Sequence, residues 1–587
     1  MKIDSNINTK PNYSRLDHAI AKFLTERCTF STETQENQKV QFRGIVRELS
    51  AALASGHSCI SVSSANQQLL QDSGLVSTEG STPLVLEGER LYLQRYWHYE
   101  TRLAQQLSYK VNKSTQPIDN IESLLDKYFT STDESTLDTG LDTDEMDWQR
   151  KAAEQVACQR FSIITGGPGT GKTTTVLKIL ALLQEVQSES GADFIPLSIA
   201  LAAPTGKAAM RLQESIGKGK ESLQCSAEIK DSITDSVSTI HRLLGAKPNS
   251  PYFRQNADNP LVHDLVVIDE ASMVDLALMS KLVDALKPEA RLILLGDKDQ
   301  LASVESGSIL GDLSQGLPEC TTELKKSYRF KGEIKELALA INQQDKLLAW
   351  DLLQSERSSS TRLVMDSLLS HIMKNMQMYF KAIYKTSRES LNANINIEEV
   401  FNAYLQFKVL CSNRKGKLGV EGINASVERS LQHQGVNTQR PWYSGKPIII
   451  TRNNPSTGLF NGDIGICLAE VGEEALEAEL YVYFQLADGS IRKLLPARLP
   501  QHETAYALTI HKSQGSEFEH ILMVLPENPN PVLSKELVYT AITRAKETVE
   551  VYSKQEVFNY ALSHQVERIS GLKEKVAGDM NRGIDEL

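Results

Sequence analysis

The chain has no paired cysteine motif. Its seven cysteines, at 28, 59, 158, 225, 320, 411 and 467, are scattered and odd in number. That argues against a zinc site or a disulfide framework and fits a reducing cytosol. The start, Met1-Lys-Ile-Asp-Ser5, lacks the apolar core of a secretion signal. No run approaches the ~20 apolar residues of a membrane helix. A cytoplasmic protein without a membrane partner is therefore expected. Positive charge is also in deficit, with 63 lysines and arginines against 74 aspartates and glutamates and a net charge of −11. A uniformly basic coat for nucleic acid is excluded, whereas a local basic channel is not. Hydrophobic residues at 41% and charged residues at 23% are globular values. The length of 587 residues suggests about three or four domains at the usual domain size.

The charge deficit is uneven. Residues 1–147 hold 14 basic and 21 acidic residues, a net of −7, and the rest of the chain carries −4. The N-terminal quarter thus reads as a separate unit, with mostly amphipathic helix over 16–54. The acidic stretch 131–147 has no apolar periodicity and reads as a linker. After Trp148, short β-branched runs alternate with helical segments: 161–165, 197–202, 265–268 and 292–295. A second group follows at 408–411, 447–451, 520–525 and 548–552. Such alternation predicts an α/β fold with parallel sheets in two successive domains. Between them, 355–402 reads as helical. Residues 445–499, with turns at Asn461-Gly462-Asp463 and Asp488-Gly489, predict a small inserted β-barrel.

Residues 166–173, Gly166, Gly167, Pro168, Gly169, Thr170, Gly171, Lys172 and Thr173, fit the phosphate-loop pattern GxxxxGK[ST]. The required context is present, with an apolar strand before the loop and a helix-compatible run from Thr174 after it. Glycines let backbone N–H groups turn toward phosphate oxygens, helped by the helix N-terminus. Lys172 is expected on the β- and γ-phosphates, and the Thr173 hydroxyl on Mg²⁺. The strand Val266-Val-Ile268 runs into Asp269 and Glu270, at the strand end where open α/β sheets bind ligands. Asp269 is expected to hold Mg²⁺ through water, and Glu270 to polarise the attacking water. Gln300, after a third strand, is placed to sense the γ-phosphate. Arg329 and Arg544 are candidates for stabilising transition-state charge.

These motifs run in a fixed order: GGPGTGKT, Ala203-Pro-Thr-Gly-Lys-Ala-Ala209, Thr239-Ile-His-Arg-Leu-Leu244, VVIDEAS, LLGDKDQL, SYRF, Thr509-Ile-His-Lys-Ser-Gln-Gly-Ser-Glu517 and VYTAITRAK. The series resembles superfamily 1 helicases over about 148–553, and most resembles the RecD branch, the α subunit of exodeoxyribonuclease V. The resemblance implies two RecA-like P-loop NTPase motor domains, with ATP in the cleft between them, and 5′→3′ movement along single-stranded DNA. It implies an SH3-like insertion at about 440–500 and a hairpin at about 245–261. It gives motors at 148–345 and 346–553, a mainly helical partner-docking unit at 1–115, a linker at 116–147 and a helical tail at 554–587. Gln149 matches the glutamine that reads adenine, and Arg329 and Arg544 would reach the γ-phosphate from the second motor.

By the same resemblance, Pro204, Thr205, Lys207, Thr239, His241, Thr509, His511, Lys512, Ser513 and Gln514 face DNA. The basic loop 412–417 fits either backbone phosphates or solvent. Tyr252 and Phe253 fit either a strand-separating pin or packing residues. The chain lacks a nuclease carboxylate–lysine constellation, so DNA cleavage is expected in a partner. The resulting reading is an ATP- and Mg²⁺-dependent 5′→3′ DNA helicase that acts on single strands and duplex ends. It would form a heterotrimer with RecB-like and RecC-like subunits in recombination and repair. The alternatives are a free-standing helicase and a nucleotide-dependent DNA-binding switch.

Overall fold

Strands buried on both faces need unbroken apolar runs, and parallel sheets under helices have such strands. The computed structural model describes residues 13–30, 35–113, 118, 120–129, 147–189, 195–247, 250–302, 306–326, 332–355, 358–389, 396–454, 456–470, 479–486 and 490–585. Four sheets are formed among them.

The N-terminal unit carries β1 (Cys59–Ser61), β2 (Val76–Ser77), β3 (Leu84–Glu87) and β4 (Arg90–Leu93) in the order β1-β4-β3-β2. Sequence reasoning anticipated only the helices, which cover Arg15–Thr25, Gln35–Ala54, Ser64–Asp72 and Gln94–Asn112. The β3–β4 hairpin turns at Gly88, whose φ of 58° suits glycine.

The first RecA-like sheet contains β5 (Phe161–Gly166), β6 (Ile199–Ala203), β7 (Val237–Thr239), β8 (Leu265–Ile268), β9 (Arg291–Gly296) and β10 (Thr321–Leu324). Its order is β10-β5-β9-β8-β6-β7, parallel throughout. The second contains β11 (Thr361–Leu363), β12 (Phe407–Cys411), β18 (Ala507–Thr509), β19 (Phe518–Val524) and β20 (Ala545–Tyr552), ordered β11-β20-β19-β12-β18 and again parallel. Between β12 and β18 the chain inserts an antiparallel sheet. Its strands are β13 (Pro447–Ile450), β14 (Ile464–Glu470), β15 (Glu479–Gln485), β16 (Ile491–Leu494) and β17 (His502–Thr504). The run at 447–451 therefore belongs to this sheet and not to the parallel one, because its register partners lie in β14 and β17.

Two further corrections concern connections. The linker expected at 116–147 contains the helix Ile121–Tyr128, which buries Leu124, Leu125 and Tyr128 in the first motor's core. Arg150 anchors it through Glu122 (2.6 Å) and Asp126 (2.5 Å). Residues 130–146, which hold nearly all of the acidic part read at 131–147, lie outside the described residues. The stretch 355–402, read as helical, also supplies edge strand β11.

The C-terminal segment crosses the molecule. Helix Gln555–Ser563 packs on the second motor, while Leu572 and Val576 of helix Leu572–Asp585 join Leu103, Ala104 and Leu107 in the first motor's core. Glu100, fully buried, accepts from Ser58 Oγ (2.5 Å), Ser570 Oγ (3.2 Å) and Gly571 N (3.3 Å), with Lys575 Nζ at 3.3 Å. A buried carboxylate needs such compensation. The substitution Leu572→Ala is expected to cost about 2–5 kcal/mol and to speed amide hydrogen exchange in helix Gln94–Asn112. Unchanged exchange there would contradict the shared core.

Candidate functional site

The phosphate loop leaves β5 and enters helix Lys172–Glu189. Gly169 and Gly171 adopt φ of 77° and 81°, which only glycine takes without strain. A Cβ on Gly166 would lie 2.7 Å from Thr170 Oγ1 and 2.9 Å from Leu324 O, so the strand end tolerates no side chain. Lys172 Nζ donates to Gly166 O (2.6 Å) and Gly167 O (3.0 Å), and its ammonium spans the loop mouth.

Asp269 leaves β8 two strands away, and its backbone N–H donates to Ala202 O at 2.9 Å. Glu270 has φ 51° and ψ 41°, a left-handed conformation that costs a residue with a Cβ about 1–3 kcal/mol and clusters at functional sites. Its N–H donates to Asp269 Oδ1 at 2.9 Å. Burial, and then the neighbouring Glu270, pushes the Asp269 carboxyl up to about 6. Lys172, Thr173, Thr174, Gln149, Asp269 and Glu270 line one cavity of 620 Å³ together with Gln300 and Arg544.

Gln300 and Arg544 join the two motors. Gln300 Nε2 donates to Asp297 Oδ2 (2.9 Å), and its Oε1 accepts from the Arg544 guanidinium (3.0 Å). Arg544 is 2% exposed and also donates to Thr540 O (3.1 Å). Leu301 N donates to Thr540 Oγ1 (2.9 Å), and Leu301 O accepts from Gln514 Nε2 (2.9 Å). Gln514 is thus a contact between motors beside the cavity. Arg329 lies outside the described residues. The cavity also holds a residue that sequence reasoning missed, Arg211 of helix Gly206–Ser222, which pairs with Glu517 of the second motor.

The expected DNA-facing residues separate into groups. Pro204 and Thr205 follow β6, while Thr239 ends the adjacent β7 and His241 follows it, so these four lie at neighbouring strand ends. Thr205 and Thr239 cap the helices that follow, accepting from Ala208 N and Arg242 N at 3.2 Å each. Lys207 is half-buried, its neighbour Gly206 lies against Phe460 of the loop between β13 and β14, and burial followed by the Arg211 charge pushes the Lys207 ammonium down to about 8. His241 meets Phe253 edge-on at 5.7 Å, whereas Tyr252 is 70% exposed. Phe253 is thus a packing residue, and only Tyr252 projects.

In the second motor, Thr509 ends β18 and accepts from Lys512 N (3.3 Å). Lys512 Nζ reaches Glu503 (2.7 Å), which also binds Arg414 of the basic loop (2.7 Å). Ser513 is fully buried and donates to Ile510 O (2.7 Å), so its hydroxyl serves the turn. His511 lines a second cavity with Arg568, and burial followed by that charge lowers its imidazole pKa.

Burial also pushes the Asp297 carboxyl up to about 6, against an ordinary value of about 3.9. Between these values the folded chain keeps a proton that the unfolded chain has released. The contribution of this group to stability therefore falls as pH rises through that window and is constant above it. Asp297→Asn is expected to reduce the loss of unfolding free energy between pH 4.5 and 6.5, by about 1–3 kcal/mol. Identical pH slopes in chemical denaturation would contradict this.

Comparison with known proteins supplies the family. Residues 149–306 match the AAA domain family, and residues 504–552 match the UvrD-like helicase C-terminal domain family. The RecBCD enzyme subunit RecD of Haemophilus influenzae is 36% identical over 554 residues, covering 85% of this chain and 82% of that protein. The subunit of the same name from Mycolicibacterium smegmatis is 35% identical over 511 residues, covering 85% and 84%. The ATP-dependent RecD2 DNA helicase of Deinococcus radiodurans is 32% identical over 437 residues, covering 73% of this chain and 52% of that protein. Identity at this level, sustained along more than four-fifths of both chains in the first two cases, means that the chain belongs to the RecD family of RecBCD enzyme subunits.

Proposed function

We propose that the chain is the ATP-driven 5′→3′ DNA helicase subunit of a RecBCD-type helicase–nuclease, with RecB-like and RecC-like partners in the cytoplasm. The observation that carries this reading is the 620 Å³ cavity, where phosphate-loop and paired-carboxylate residues of one motor meet Arg544 of the other. A site divided between two bodies can turn hydrolysis into relative movement. The subunit reading is preferred to a free-standing helicase because the matches to RecD subunits cover 82% and 84% of those proteins, while the match to the RecD2 helicase covers 52% of it. Domain limits near 115, 147, 345 and 553 are part of the proposal.

The cavity suits ATP with Mg²⁺. Thr173 and Asp269 offer two hard oxygen donors, too few to hold the ion without phosphate oxygens and water. Among the described residues no cluster of three or more acidic, His or Cys side chains could hold a metal ion. Mg²⁺ would supply charge neutralisation at the β- and γ-phosphates. Lys172 exchanges its two carbonyl partners for those phosphates. Glu270 orients water in line with the γ-phosphate, from a backbone position that its left-handed φ fixes. Arg544 and Gln300 stabilise the developing charge, and Gln149 meets the base. Because Arg544 and Gln514 belong to the second motor, each hydrolysis cycle changes contacts between the motors. The strand is gripped at the neighbouring ends of β6 and β7 and by Thr509 and Lys512, mainly through phosphates.

Among the described residues no helix is long and apolar enough to cross a membrane. Lys172→Gln is expected to lower DNA-stimulated ATPase at least about 100-fold with an unchanged circular dichroism spectrum. Strand displacement in the complex with both partners is expected on a 5′-tailed duplex and not on a 3′-tailed one. Undiminished hydrolysis in the variant would refute the site, and displacement on neither duplex would favour the switch.

A further inference from the structure

Three cations and three carboxylates face the nucleotide cavity: Lys172, Arg211 and Arg544 against Asp269, Glu270 and Glu517. Their partners differ. Lys172 is satisfied by two backbone carbonyls. The hydrogen-bond partners of Arg544 are neutral: Thr540 O, Gln300 Oε1 and Thr543 Oγ1. Arg211 alone of the three, among the described residues, forms an ion pair with a carboxylate, and that carboxylate, Glu517, belongs to the opposite motor.

The pair is not a loose surface contact. The Glu517 side chain is 13% exposed and that of Arg211 33%. Glu517 ends a short segment that touches the first motor along its length. Gln514 binds Leu301 O, and Gly515, at φ 68°, lies against the first turn of the Arg211 helix, where an added Cβ would sit 3.7 Å from the Ala208 Cβ. Arg211 lies one helical turn from Lys207, on the helix that starts at the strand-facing Thr205. Burial, then the repulsion of Arg544, pushes its guanidinium down to about 10, as expected of a cation crowded by another cation.

We propose that Arg211 is a nucleotide-positioning residue held in reserve by Glu517. When a nucleoside triphosphate enters, the guanidinium leaves this carboxylate for the phosphate oxygens, and the inter-motor ion pair opens. The inference rests on reading the cavity as the ATP site. It adds a contact that ATP breaks to the Arg544 contact that ATP strengthens. A polyphosphate brings more negative charge than one carboxylate and accepts a guanidinium fork in two places. The new guanidinium–phosphate contacts therefore offset the loss of the ion pair, and the same helix carries the change toward Lys207.

The test is a double-mutant cycle on the assembled complex, reading the equilibrium binding of a fluorescent, non-hydrolysable ATP analogue with Mg²⁺. Glu517→Gln is expected to tighten binding about three- to tenfold by removing the competing carboxylate, and Arg211→Ala to weaken it about tenfold. Glu517→Gln in the Arg211→Ala background is expected to leave binding where Arg211→Ala alone puts it. Arg211→Lys is expected to recover part of the affinity, with the change falling on KM for ATP more than on kcat. Weaker binding in Glu517→Gln, or an equal shift with and without Arg211, would overturn the proposal. Failure of the unmodified complex to bind the analogue would instead refute the nucleotide-site reading, so the two failures are distinct.

Discussion

A guanidinium removed from water must find acceptors or destabilise whatever holds it. The join between the two motors depends on how Arg544 meets this demand. It is 2% exposed, and one of its acceptors, Gln300 Oε1, belongs to the other motor. Gln300 has its own amide committed to Asp297, and its neighbour Leu301 is held by Thr540 and Gln514. These bonds form a chain in which each partner is spoken for. Separating the motors at this point leaves several buried polar groups unmatched together, which makes the join cooperative. The cleft therefore has a defined closed geometry, and the nucleotide site is completed by it.

The legible part of the sequence is the part where chemistry fixes both residue type and spacing. Gly169 and Gly171 need positive φ, Lys172 must reach across the loop, and Asp269 must leave a buried strand two positions away in the sheet. The central strands β5, β8 and β9 could be read because they are buried on both faces. Edge strands β7, β10 and β11 could not, because they are three or four residues long and only partly covered. The run of isoleucines in β13 signals a strand, but nothing local tells which sheet it will join. Helix Ile121–Tyr128 has apolar residues spaced by three and four, but the acidic residues in and around it mask that stripe.

Side-chain roles were harder to read than positions. Ser513 lies in the middle of a motif and is buried for the sake of its own turn, so motif membership did not imply contact with a ligand. Of the adjacent aromatics, Phe253 packs beside His241 while Tyr252 projects, and no property of the dipeptide separates them. Arg211 carries no signal in the sequence, because an arginine in a helix is usually solvated. Only the fold brings Glu517 to it from 306 residues further along the chain.

Helix Leu572–Asp585 lies against helix Gln94–Asn112. Leu572 and Val576 complete a core whose other walls come from residues 103–107 and from the first parallel sheet. During synthesis, most of the first motor leaves the ribosome some 250 residues before the helix that seals it. Vectorial folding of this unit therefore cannot finish one domain at a time. Until helix Leu572–Asp585 is made, Leu103, Ala104 and Leu107 lack the apolar cover that Leu572 and Val576 give them.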